Sequence, residues 1–317
     1  MGCTELESST TVDDRHQEDA RPLIFGEVLF DIFPDVAVIG GAPFNVAWHL
    51  HGFGLRPVFV SRVGVDSAGE QVLSTMRSWG MDVSCMQIDD THATGEVRVE
   101  LTGNGHAFDI LPDRAYDYID ADAAMRSLAG QDIGLIYHGT LALRSDVSRA
   151  SLRLLRNRLS PLHCIDINLR SPWWQASEVK SQIDGATWVK LNDEELMLIG
   201  NDAVDVQPIQ QRARALRLRH HIDTLIVTRG AQGALLVDAD GIVEGAAANA
   251  GELVDTVGAG DAFSAVALIG LMRRWEARDT LRRALEFAAW ICTLRGAVID
   301  APERYQQFMR EWEVDQA

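Results

Sequence analysis

The stretch DTVGAGDAFSA, residues 255–265, sets Gly258, Ala259, Gly260 and Asp261 directly before an apolar pattern of Phe263, Val266, Ala267, Gly270 and Leu271. Glycine lets the backbone turn tightly enough for consecutive N–H groups to converge. At a helix N-terminus, where the dipole is positive, such a turn gathers an anion, above all a phosphate. A carboxylate in that first turn also suits the dipole, so Asp261 is either a helix-end acid or a group that works beside the anion. Spacing excludes two common phosphate motifs. The third glycine of G-x-G-x-x-G would fall at Phe263, and G-x-x-x-x-G-K-[ST] occurs nowhere.

A second glycine stretch, IGGAPFNVAWHL, leads through Gly40, Gly41 and Pro43 into another apolar run. The fixed φ of proline suits a first helical turn. Asn45, just inside, is either a capping group or an amide that donates and accepts toward a ligand above the glycine pair. Asp166, Asn168 and Arg170 in DINLR are spaced by two, so a strand would turn them to one face and Ile165, Ile167 and Leu169 to the other. That row points at the C-terminal edge of the sheet, where open α/β folds bind ligands, and there Arg170 can reach a phosphate or a hydroxyl. Its alternative is an ion pair tying down the SPWW loop. Asn192 and Glu195 meet on the first turn of a helix, with an N-cap and a nearby acid as the plain alternative. Asp66 in GVDSAG is read as the cap of the following helix. His49, His51, His138, His220 and His221 lack metal-ligand spacing, and only His138, at a strand end, stands near potential chemistry.

These groups need a scaffold. The runs PLIFGEVLF, PVFVSRVG, IGLIYHG, HCIDINL, TWVKLN, DTLIVTRG and GALLVD predict strands, most of them covered on both faces. Helical patterns lie around 43–51, 66–79, 121–129, 146–158, 204–219, 261–274 and 277–294. Alternating β and α predicts an α/β fold with a central, mostly parallel sheet. One region breaks the rhythm. GEVRVELTGNGHAFDIL alternates Val97, Val99 and Leu101 with Glu96, Arg98 and Glu100, turns at Gly103-Asn104-Gly105, and alternates back through Phe108 and Ile110. The pattern is a hairpin with one wet face, whose apolar face is expected to cap a ligand cleft or to meet a second subunit.

Composition narrows the classes. The chain has 317 residues, 47% hydrophobic and 24% charged, as in soluble globular proteins. A formal net charge of -17 without a dense Lys/Arg block argues against nucleic acid and anionic membranes as partners. Cys3, Cys85, Cys164 and Cys292 form no C-x-x-C pair and fit the reducing cytoplasm. No run approaches the ~18 apolar residues of a membrane span, and the N-terminus lacks a secretory h-region. Residues 1–20 read as a polar, disordered leader before a single domain over 21–317.

Together, G-G-x-P-x-N-x-A and D-T-x-G-A-G-D-x-F are the two signatures of the ribokinase-like, or PfkB, family of carbohydrate kinases, which residues 23–305 resemble. GEVLFD at 26–31, GVDSAG at 64–69, DINLR at 166–170, KLNDEE at 190–195, TRGAQG at 228–233 and RGA at 295–297 agree in order. The resemblance implies a ribokinase-like fold, with helices on both faces of the sheet and a small inserted β lid built from about 27–40 and 94–112. It implies that Asp261 is the catalytic base, taking a proton from a sugar hydroxyl as that oxygen attacks the γ-phosphate of ATP. Gly258, Ala259 and Gly260 would form the anion hole. Asp31, Gly41, Asn45 and Arg170 would hold the sugar. Asn192, Thr228, Gly230 and Gly233, with Gly258 and Gly260, would hold ATP. Asn192 and Glu195 would organise Mg²⁺ through water, and Asp255, beside Thr256, borders a monovalent-cation loop that takes K⁺ in some members. The resemblance is strongest to bacterial fructokinases, implying a cytoplasmic homodimer, joined through the lid, that converts fructose to fructose 6-phosphate. A kinase for 2-keto-3-deoxygluconate or for another sugar or nucleoside is the alternative, and a non-catalytic sugar-binding homologue is the other class.

Overall fold

A computed structural model of the protein describes residues 20–102, 105–200, 207–249 and 251–314, with side chains at 99–108 and 314 left out. The expected leader, apart from Ala20, and the turn residues Gly103 and Asn104 lie outside the described residues, as does the start of the helix expected over 204–219. The strands are β1 (Arg21–Phe25), β2 (Leu29–Ile32), β3 (Ala37–Gly40), β4 (Val58–Gly64), β5 (Met86–Asp89), β6 (Gly95–Thr102) and β7 (Gly105–Ile110). They continue as β8 (Ile133–His138), β9 (Leu162–Asp166), β10 (Trp188–Asn192), β11 (Thr224–Thr228), β12 (Ala234–Val237) and β13 (Ile242–Gly245). The helices are α1 (Ala42–Gly52), α2 (Ser67–Trp79), α3 (Ala121–Ser127), α4 (Asp146–Leu159) and α5 (Ala176–Ile183). After them come α6 (Asp193–Gly200), α7 (Ile209–Arg219), α8 (Ala259–Met272), α9 (Ala277–Ile291) and α10 (Pro302–Val314).

Nine strands form the main sheet in the order β13-β12-β11-β10-β9-β8-β1-β4-β5. Its neighbours run parallel except where β12 meets β11 and β13. Period two sorts the strand residues onto two covered faces. Ile24, Phe59, Leu135, Tyr137, Cys164, Trp188 and Ile226 face one way, into a core shared with α1, α2, α8, α9 and α10. Leu23, Phe25, Val58, Val60 and Ile136 face the other way, toward α3 and α4, and Ile165, Val189, Leu191, Leu225 and Val227 toward α5, α6 and α7. Helices α1 and α8 are buried almost all round, as a helix held between a sheet and other helices must be. No helix of the described residues is long and apolar enough to cross a membrane.

A second sheet of four strands, β3-β2-β6-β7, stands beside the first. The run PLIFGEVLF is therefore two strands in two sheets rather than one. The break falls at Gly26, where φ is +148° and a Cβ would come within 2.6 Å of Pro43 Cγ. The chain returns to the small sheet at Thr94, which is clamped by Asp66. That carboxylate caps α2 by accepting from Gly69 N at 2.7 Å and also accepts from Thr94 N at 2.8 Å and Thr94 Oγ1 at 2.7 Å. One side chain thus fixes a helix start and the root of β6 together. At the positions whose side chains are described, the hairpin β6–β7 follows the alternation read from its sequence: Val97 and Ile110 are buried while Arg98 and Asp109 are exposed.

Candidate active site

The two glycine stretches meet in space. Gly41 is the N-cap of α1 and Gly258 the N-cap of α8, both with positive φ, at +109° and +78°. A Cβ at Gly41 would lie 2.7 Å from Glu27 O, and one at Gly258 would lie 2.4 Å from Ala297 Cβ, so neither turn has room for a side chain. Asn45 is no cap. It sits inside α1, 4% exposed, and its Nδ2 donates to Asp261 Oδ2 at 2.7 Å across 216 residues of sequence.

A cavity of about 450 Å³ and another of about 440 Å³ open on either side of this junction, with Thr256 and Gly260 in the walls of both. The polar one takes Asp31, Gly41, Asn45, Arg170, Gly258 and Asp261 from the sequence reading. Leu29, Asp31, Val97 and Ile110 of the small sheet close over it. The other takes Thr228, Gly230, Gly233 and Ala259, and its walls are otherwise largely apolar, with Leu253, Phe263, Leu285 and Ala288. Gly233 has φ +84°, and a Cβ there would lie 2.0 Å from Gly245 O, so the backbone itself forms that wall.

Burial tunes the acids of the polar cavity. Asp261 is 9% exposed, and its carboxyl is pushed up to about 6, first by burial and then by the nearby charge of Asp166. The Asn45 hydrogen bond, Lys190 and Arg170 pull the other way. Asp31 is raised to about 6 by burial, opposed by Arg170. The exposed Arg170 guanidinium therefore acts electrostatically on both acids, and no ion pair to the SPWW loop is found for it among the described residues.

The strand expected to line up Asp166, Asn168 and Arg170 ends at Asp166, and Asn168 has φ +41°, a left-handed conformation. The three side chains still line the polar cavity, brought there by a bent segment instead of a strand face. Two hydrogen bonds from main-chain N–H groups shape the bend: Ile167 N donates to Lys190 O at 2.9 Å and Leu169 N to the side-chain oxygen Glu195 Oε1 at 2.6 Å. Asn192 and Glu195 form a capping box, with Glu195 N donating to Asn192 Oδ1 at 2.8 Å and Asn192 N to Glu195 Oε2 at 2.9 Å. Neither lines either cavity. Asp255 accepts from Val257 N in its own loop at 3.0 Å and from Gly296 N in the segment after α9 at 3.2 Å. His138 is structural. Its Nδ1 donates to Gly139 O at 2.7 Å, leaving Nε2 to accept from His163 Nε2 at 2.8 Å, and burial holds both rings far below the usual histidine range.

Two residues of the polar cavity wall are not singled out by the sequence reading. Lys190 Nζ donates to Asp166 Oδ2 at 2.5 Å, and both lie in the polar cavity wall. In-register neighbours on β10 and β9, they point toward α8, whose Ser264 Oγ donates to the same Asp166 oxygen at 2.9 Å. The signal was a lysine in the middle of TWVKLN, since a cation inside a strand covered on both faces requires a partner. Glu27 also lines the cavity, and a charge between the apolar pieces of PLIFGEVLF was the same kind of sign.

Comparison with known proteins shows the family and the fold. The profile of the pfkB family of carbohydrate kinases matches residues 19–304. The fructokinase of Escherichia coli is 28% identical over 313 residues, covering 90% of this chain and 98% of that protein. The fructokinase of Xylella fastidiosa, solved with bound ATP, has a TM-score of 0.79 at 21% identity, covering 93% of this chain and 99% of that one. A fructokinase double mutant from Vibrio cholerae, in its fructose, ADP and potassium ion bound form, has a TM-score of 0.75 at 24% identity, covering 91% and 98%. The two structures share the ribokinase-like fold with this chain.

Proposed function

Because this chain belongs to the pfkB family of carbohydrate kinases, we propose that it transfers the γ-phosphoryl group of ATP to the 6-hydroxyl of fructose. The protein is a phosphotransferase whose acceptor is a sugar hydroxyl. Fructose as that sugar is carried over from the fructokinase relatives. The observation that carries the proposal is the Asn45–Asp261 hydrogen bond where the polar and apolar cavities meet. Hydroxyls of a sugar suit Asp31, Asn45 and Arg170 in the polar cavity, and a purine suits the apolar one. The phosphate to be transferred then falls at the Gly258–Gly260 turn.

Phosphoryl transfer needs positioning and charge stabilisation more than covalent help. In the proposed reaction the sugar oxygen attacks the γ-phosphorus as its proton passes to Asp261 and the bond from that phosphorus to the bridging oxygen breaks, releasing ADP; the N–H groups of Gly258, Gly260 and Ala259, the last now 3.3 Å from Thr256 O, hold the transferred oxygens. A carboxyl near 6 is still far below an alcohol, so it takes the proton only as the O–P bond forms. Magnesium bound with ATP would neutralise phosphate charge. Both carboxylate oxygens of Glu195 already accept main-chain hydrogens, so Asn192 and Glu195 fit that ion only through its water shell. A monovalent cation beside Asp255 belongs to the same proposal, carried over from the potassium-bound relative.

The test is ADP release from ATP with fructose, ribose, 2-keto-3-deoxygluconate, mannose and nucleosides. Fructose is expected to give the highest kcat/KM. A higher value for another acceptor would end the fructose assignment, and ADP release with none of them would end the kinase reading. We also propose that the β3-β2-β6-β7 sheet is a lid over the sugar and the contact for a second copy of the chain. Val36 and Val38 beside this sheet's cavity wall are 56% and 39% exposed, an apolar surface that a partner would cover. Sedimentation at micromolar concentration should show a dimer, and a single-chain species at every concentration would exclude this contact.

A further inference from the structure

The reaction described above leaves one buried acid without a task. Glu27 stands between β1 and β2 at the root of the small sheet, is 4% exposed, and lines the polar cavity with Asp31 and Asn45. Its Oε2 has no hydrogen-bond partner among the described residues. A buried carboxylate oxygen left unpaired is costly. We propose that the Glu27 carboxylate is a substrate-contacting group, accepting a hydrogen bond from a sugar hydroxyl that the catalytic groups do not touch. This rests on the polar cavity being the sugar site.

The surroundings support an acceptor role. Asn45 lines the same cavity, and its Oδ1 is also buried without a partner, while its Nδ2 donates to Asp261. Two residues of the cavity wall thus carry buried, unused acceptors, Glu27 Oε2 and Asn45 Oδ1, and a polyol carries several hydroxyl hydrogens that match them. Four groups from separate elements bear on Glu27 electrically. Arg144 lies in the turn before α4, Arg170 in the bend after β9, and Asp261 in α8. Tyr116, under Arg144 at 5.1 Å, lies in the turn after β7 and feels the Glu27 charge in return. Burial pushes the Glu27 carboxyl up to about 7, with its own main-chain N–H, Arg170 and Arg144 drawing it down and Asp261 pushing it further up. The acceptor form is therefore gained across the neutral range, and the sugar binds more weakly as the pH falls through it.

A structural role and a substrate role separate cleanly. Replacing a buried carboxylate that has one unpaired oxygen with a side chain of similar length and no charge removes an unfavourable burial. Because its folded value is raised, Glu27 withdraws stability as pH rises from about 4 to about 7, so the variant should melt no lower than wild type at pH near 8. The experiment compares full-length wild type, Glu27→Gln and Glu27→Met, using fructose, or whichever sugar the wild type turns over best, as the probe. In Glu27→Met the KM for sugar is expected to rise on the order of 10- to 100-fold at pH near 8, with the KM for ATP within about 3-fold. In Glu27→Gln, whose amide oxygen still accepts, the rise is smaller. In both variants the inflection of sugar KM near 7 disappears. Unchanged sugar KM and pH profile in an active wild-type background, with or without a lower melting temperature, would overturn the Glu27 assignment and leave the kinase reading standing. A wild type inert toward every sugar would overturn both.

Discussion

Asp261→Asn is expected to lower kcat by at least ~10²-fold while changing the KM for sugar only modestly. The substitution preserves shape: an asparagine oxygen can still accept from Asn45 Nδ2, as Asp261 Oδ2 does at 2.7 Å. It removes the one oxygen able to take a proton at the point where the glycine turn would hold the phosphate. The pH dependence supplies an independent check. Burial raises Asp261 to about 6, so wild-type kcat should climb as pH rises through that value and level off above it. The variant's residual rate should lack this limb. Stability moves the opposite way. A carboxyl raised on folding withdraws stability as pH climbs from about 4 to about 6, so removing its charge should not lower the melting temperature at pH near 8. Turnover close to wild type, or the same acid limb in the variant, would take the base role away from Asp261.

Periodicity carried most of the main sheet because its central strands are buried on both faces and read as unbroken apolar runs, as in TLIVT of β11 and IGLIYH of β8. It failed where that condition lapses. β5 and β13 are edge strands with exposed residues, and β3 is a short edge strand of the small sheet that runs straight into the Gly40-Gly41 turn. Helix α10 was not anticipated, although Tyr305, Phe308 and Trp312 pack with Phe53 and Phe287 into one aromatic cluster. The site follows the same logic. Gly41, Asn45, Gly258 and Asp261 could be singled out because special backbone angles and misplaced polar groups are visible locally. The Asp166–Lys190 pair could not, since its meaning lies in the register between β9 and β10, and neither could the bend at Asn168 that breaks the expected alternation.

Lys190→Met should have the largest effect on stability, on the order of 3–5 kcal/mol. Lys190 and Asp166 are both nearly inaccessible, with side chains 7% and 3% exposed. Removing the ammonium would leave a buried carboxylate held by hydroxyls alone, Ser264 at 2.9 Å and Tyr137 at 3.4 Å. Breaking such a pair strands a charge, whereas neutralising both partners together is far milder. Adding Asp166→Asn to Lys190→Met should therefore restore much of the urea midpoint. Activity need not return with it. A Cβ at Gly260 would stand 3.5 Å from Lys190 Nζ, so the ammonium lies behind the anion turn and adds positive charge where phosphate charge must be borne. It is also one of the cations that hold Asp261 down against burial. The single variant should accordingly show its kcat limb displaced to higher pH, because the lost cation and the uncompensated Asp166 both favour a protonated Asp261. In the double variant that displacement should shrink while kcat stays low. A single variant that unfolds at the wild-type urea midpoint, with its acid limb unmoved, would mean that the pair neither supports the sheet edge nor sets the charge of the base.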